Sequence, residues 1–100
     1  MRIPKRVKIG AKVFAIKWVD ELRDTDDTKL FGRFDSDEGV ITLSKACGVD
    51  GELLDTFIHE CLHAMNRSVK LGLDEDTVHR LSFMLAAFLV DNKLLREGGE

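Results

Sequence analysis

Apolar residues change their spacing half-way along this chain. Up to about residue 46 they come in short runs separated by glycine and acidic turns, whereas from about residue 50 they recur every three or four positions. The first pattern predicts strands. A run at 7–9 is followed by Gly10-Ala11 and by a longer run at 12–19, which reads as a hairpin around Gly10. Residues 20–29 are acidic and polar and read as a connecting loop. Two further apolar runs, at 30–34 and 40–43, flank Asp35-Ser36-Asp37-Glu38-Gly39, a turn-rich segment that predicts a second hairpin. The expected result is an antiparallel sheet of three or four strands.

The second pattern predicts two helices. Asp50 or Gly51 can cap a helix that carries Leu53, Leu54, Phe57, Ile58, Cys61, Leu62 and Met65, ending between Asn66 and Leu71 with Gly72 as a stop signal. Asp74 is a suitable N-cap for the next helix, with Glu75 and Asp76 favoured in its first turn. That helix runs through Val78, Leu81, Leu85, Phe88, Leu89 and Asn92 toward Leu95, leaving a frayed tail at Gly98-Gly99-Glu100. The fold class is therefore α+β, one domain over 1–100 with a β-rich half at 1–46 and a helical half at 50–96.

The first of these helices carries the chemistry. His59-Glu60-Cys61-Leu62-His63 is an H-E-x-x-H motif. Residues four apart share one helix face, so both imidazoles can reach one metal ion. Glu60 lies about 100° round the helix from His59, where a carboxylate can reach water held by that ion. Two nitrogen ligands, an open coordination position and a nearby base are what a zinc-dependent hydrolase requires. Chance alone places this pattern in roughly 0.3% of chains this long. The uncharged neighbours Phe57, Ile58, Cys61, Leu62, Ala64 and Met65 fit a core helix with one polar edge better than a surface helix.

Catalytic zinc usually takes three protein ligands. Glu75 and His79, four apart on one face of the last helix, are the candidates for the third, with Asp76 behind them. If the first helix stops near Asn66, residues 75–79 come level with His63. If it continues to Lys70, the level shifts toward Leu81 and neither candidate fits. Glu75 has a second explanation, as a favourable charge at a helix N-terminus.

Composition narrows the alternatives. One hundred residues limit the core, so a bound metal can add to stability. The net charge of −3 gives no sign of a nucleic-acid surface, and the basic cluster Arg2, Lys5, Arg6, Lys8 and Lys12 reads as a solvated strand face. No apolar run has membrane-spanning length, and the N-terminus has no signal-peptide core. Cys47 and Cys61 imply no disulfide framework. Cys61 points away from the metal face and reads as a small core residue rather than a thiolate ligand. The aspartates at 24, 26 and 27 lack the glycine and terminal glutamate of an EF-hand calcium loop. These features imply a cytoplasmic chain with no membrane or nucleic-acid partner.

The segments 56–64 and 73–81 resemble the motif helix and the acidic entry to the last helix of small phage- and prophage-encoded metallopeptidase-like proteins. More distantly, they are similar to the metallopeptidase domain of proteins that cleave phage-type repressors. The resemblance implies a minimal zincin-like fold and a gluzincin-like zinc peptidase acting on a peptide or protein substrate in a host cytoplasm. It also implies His59, His63 and Glu75 as metal ligands and Glu60 as the catalytic base. Many such peptidases have a tyrosine or an extra histidine to stabilise an oxyanion, and this chain has no tyrosine. Two other readings are a zinc-binding peptidase fold used for regulation, with a closed metal site or one blocked by Trp18 or phenylalanines, and a metal-free phage accessory protein.

Overall fold

The computed structural model describes residues 3–46 and 50–95, without the side chains of residues 50 and 51. Its elements are β1 (Arg6–Ile9), β2 (Lys12–Val19), β3 (Leu22–Arg23), β4 (Lys29–Leu30), β5 (Gly32–Asp35), β6 (Val40–Ser44), α1 (Asp50–Val69) and α2 (Glu75–Asp91). Cys47, the Asp50 or Gly51 cap, Arg2 and the glycine-rich tail lie outside what is described.

Both expected hairpins form. β1 pairs antiparallel with β2 through Gly10-Ala11, where φ of +61° at Gly10 suits the first position of a tight two-residue turn. β5 pairs antiparallel with β6. The sheet as a whole is nevertheless mixed, in the order β1-β2-β6-β5, because β2 and β6 run parallel. This corrects the antiparallel sheet expected from the hairpins. The connection from β2 to β6 is long enough for a crossover, and a parallel pair needs one of a dozen residues or more. It is also more than a loop. β3 and β4 form a separate two-stranded ribbon, closed by a turn in which Asp24 Oδ1 accepts from the N–H groups of Asp26 and Thr28. The ribbon was hidden because its strands are two residues long and only Leu22 is buried.

The sheet buries one face against α1. Ile9, Phe14, Ile41 and Leu43 meet Cys61 and Ala64, with Leu53 and Phe57 packed at the margin. Alternate β2 residues such as Val13 and Lys17 stay exposed, as do Lys5, Arg6, Lys8 and Lys12 of the basic cluster. Turned about a third of the way round, α1 buries Leu54 and Leu62 on the side where α2 packs, with Val78, Ser82 and Ala86 buried on α2. The layers are sheet, α1, α2. No helix among the described residues is long and apolar enough to cross a membrane.

Both helices stop in the same way. α1 ends at Val69, with Lys70 left-handed at φ +53° and the Leu71 N–H donating back to the Asn66 carbonyl. α2 ends at Asp91 rather than near Leu95, with Lys93 at φ +55° and the Leu94 N–H donating to the Leu89 carbonyl. These are Schellman turns with lysine where glycine is usual. Gly72, expected as the stop, lies two residues beyond the real one.

Candidate metal centre

α1 presents Glu52, Asp55, Thr56, His59, Glu60 and His63 along one stripe, at successive helical spacings of three, one, three, one and three. This stripe floors a cleft of about 680 Å³ whose other walls are residues 30–34, Glu75 and His79. β5 is an edge strand of the sheet, and its residues line that cleft.

Three side chains converge there. His59 Nε2 lies 2.8 Å from Glu75 Oε1, His63 Nε2 lies 2.9 Å from Glu75 Oε2, and the two Nε2 atoms are 3.1 Å apart. All three residues offer a ligand atom within 4.8 Å of the others, the only such His, Cys, Asp or Glu group of three or more among the described residues. Tetrahedral zinc with bonds of about 2.0–2.1 Å would hold its ligand atoms about 3.3 Å apart. The three donors therefore fit such an ion after opening by a few tenths of an ångström. The structure draws Glu75, not His79, to the motif histidines. His79 lines the same cleft with its ring centroid 6.1 Å from that of His59, while Asp76 is paired outside with Arg80 at 2.8 Å.

Glu75 arrives there by a route that helix levels alone do not show. α1 does continue to Val69, the case in which neither candidate was expected to fit. Asn66 corrects the level. Its side-chain nitrogen donates to the Leu73 carbonyl at 3.0 Å and its Oδ1 accepts from the Leu73 N–H at 3.1 Å. Residues 70–73 thus run back along α1 until Leu73 is beside Asn66. An extended residue covers about 3.3 Å against 1.5 Å in a helix, so a few residues recover the extra turn. Asp74 then caps α2, its Oδ1 accepting from the Thr77 N–H at 2.8 Å, and Glu75 is the first helical residue.

Glu60 sits at the seam between α1 and β5 and is 8% exposed. Burial, with the nearby Glu75 carboxylate adding, pushes its carboxyl up to about 7. Gly32 makes this seam possible. A Cβ at Gly32 would stand 2.8 Å from Thr56 Cγ2, 3.1 Å from Glu60 Cγ and 3.2 Å from Glu60 Oε2. The glycine is thus required for space, letting the β5 backbone lie directly against the polar face of α1. Cys61 points into the core and burial raises its thiol to about 12, so it stays protonated and apart from the histidines.

Several cleft residues were not singled out from the sequence. Glu52, Asp55 and Thr56 lie seven, four and three residues before His59, so extending the helical stripe backward would have found them. Phe31, Gly32, Arg33 and Phe34 carry no such signal, because their place depends on how β5 docks. Trp18 does not line the cleft. Across α1 and α2, the buried Ser82 Oγ donates to Asp55 Oδ1 at 2.7 Å, which ties the cleft wall to α2.

No protein-family model, curated protein or solved structure matches the chain.

Proposed function

We propose that this chain is a metal-dependent hydrolase, a zinc metallopeptidase of minimal size. The observation that carries the reading is the convergence of His59 Nε2, His63 Nε2 and the Glu75 carboxylate beside a buried, separate carboxylate at Glu60. Two imidazoles and one carboxylate suit zinc. Three protein donors, with His79 outside the group, leave a coordination position open, which favours a catalytic over a closed structural site. The metal, when bound, would supply a Lewis acid and an activated water.

The chain's own residues account for the rest. Glu60 is placed to accept a proton at its carboxylate and return it to a leaving amine. The free edge of β5 can receive an extended peptide as an added strand across the cleft. The Gly32 contact holds that edge against Glu60, so a peptide on β5 would pass over the metal-binding face.

The decisive experiment is metal content of the protein purified without added metal, compared with His59→Ala, followed by casein hydrolysis by wild type and Glu60→Gln. About one zinc per chain, lost in His59→Ala, with hydrolysis lost but zinc kept in Glu60→Gln, is the expected result. Zinc without any Glu60-dependent hydrolysis would leave a regulatory zinc-binding protein instead. Absence of metal even after zinc addition would remove both readings.

A further inference from the structure

Among the described residues, α2 is covered on only one side. Val78, Ser82 and Ala86 are buried, but Phe83 is 61% exposed, Met84 63%, Phe88 54% and Val90 54%. From Leu81 to Val90 the chain has no charged residue. An apolar surface of this kind on a helix calls for a covering partner.

The residues on this face also have an order. Arg80, Met84, Ala87 and Asp91 recur at spacings of four, three and four, a single stripe along the side opposite the buried one. Phe83 and Phe88 flank it. Consider a two-fold axis crossing the stripe midway between Leu85 and Ala86. It sets Arg80 opposite Asp91 of a second copy and the long Met84 opposite the small Ala87, while Phe83 comes beside Val90 of that copy along one edge of the stripe and Leu81 beside Phe88 along the other. Each of these pairings then occurs twice. Charge and size are both matched by the antiparallel arrangement. A parallel one would oppose Arg80 to Arg80 and Asp91 to Asp91.

We propose that the outer face of α2 joins a second copy of this chain, antiparallel about that axis. The position of Asp91 supports this. An acidic residue in the last turn of a helix opposes the helix dipole, and α2 has no basic residue there to balance it. In the dimer it meets Arg80, whose present partner is the exposed Asp76 at 2.8 Å, a surface pair that costs little to exchange. With a large aromatic side chain at 150–250 Å², the half-exposed residues offer roughly 500 Å² per copy, or about 1,000 Å² in all, the lower limit of a specific interface. The dimer is thus a reversible one. None of Arg80, Met84, Ala87 and Asp91 lines the metal-site cleft, so both clefts stay open.

Sedimentation equilibrium of the reduced full chain from about 10 to about 500 μM brackets the affinity that such a small interface supports. The average mass is expected to rise from the 11.3 kDa of one chain toward twice that value. Met84→Asp should remain monomeric throughout, with an unchanged circular dichroism spectrum because the side chain is exposed. Arg80→Asp or Asp91→Arg alone should weaken the dimer by about tenfold, since each reversal acts at two symmetric pairs. The two reversals combined should restore it to within about threefold of wild type. A wild-type monomer at every concentration, a dimer indifferent to Met84→Asp, or a double reversal that fails to recover would each overturn the proposal.

Discussion

The cleft face of α1 and the outer face of α2 depart from ordinary protein surfaces in opposite directions. On α1, Glu60 is buried at a seam between helix and strand, and two histidines lie partly shielded beside it. On α2, four large apolar side chains stand more than half exposed with no charge among them. The first face costs stability, because a buried carboxyl must either stay protonated or meet a cation. The second costs solubility rather than stability. The teaching of the pair is that the fold spends its small core on positioning polar groups around α1, and leaves α2 to be completed from outside.

The contrast breaks most sharply on removal of the proposed metal. Zinc held at about a thousand times its dissociation constant stabilises the folded chain by about 4 kcal/mol. For a chain this small, each kcal/mol moves the melting temperature by about 4–8 °C. Chelation should therefore lower Tm by roughly 15 °C or more, and His63→Ala should start at that lower value and not respond to chelator. A chelator-insensitive wild type would contradict a metal-stabilised site.

Next in size is the pH behaviour of the metal-free protein. Glu60 titrates near 7 when folded against an ordinary 4.5, so between these values the folded state holds more protons than the unfolded one. Stability from this group is complete below about pH 4.5 and falls as pH rises to 7, by up to roughly 3 kcal/mol. Chemical denaturation in chelator should show Glu60→Gln overtaking wild type as pH is raised from 5 to 8. A stability difference independent of pH would mean that Glu60 is not the buried titrating group.

Gly32→Ala sharpens the same comparison from the strand side. The added methyl must displace Thr56 or Glu60, at a cost of about 1–3 kcal/mol. Because the atoms nearest the added methyl belong to Thr56 and Glu60 rather than to His59, His63 or Glu75, metal content should be unchanged while hydrolysis falls. Loss of metal in this variant would show that the seam supports the ligands as well. The smallest effect belongs to the other face. Phe88→Gln, measured by denaturation at dilutions where the chain is monomeric, should change stability by no more than about 0.5 kcal/mol. A loss of several kcal/mol would mean that Phe88 is part of the core.

What could be read from the sequence follows the range of the interactions involved. The two hairpins, the helical spacing of the motif and the Asp74 cap are local, and each forms as its residues require. The parallel pairing of β2 with β6 is not local. Two hairpins can dock by any of their edges, and nothing in the strands themselves chooses. Lys70 and Lys93 gave no sign of ending helices, because left-handed backbone is favoured by glycine and tolerated by lysine only when the turn's hydrogen bonds compensate. Between Glu75 and His79 the residue spacing was silent. The choice depended on an asparagine side chain that looks like an ordinary helical polar residue until its partner, Leu73, is seen.

That asparagine bears on how the site fills. The proposed ligands His63 and Glu75 are separated by a turn whose geometry Asn66 holds through two hydrogen bonds. An arriving ion therefore does not have to wait for a wandering loop to close. Capture should be a single second-order process limited by shedding of the ion's own water, and Asn66→Ala should add a slow, concentration-independent phase as the chain searches for its third donor.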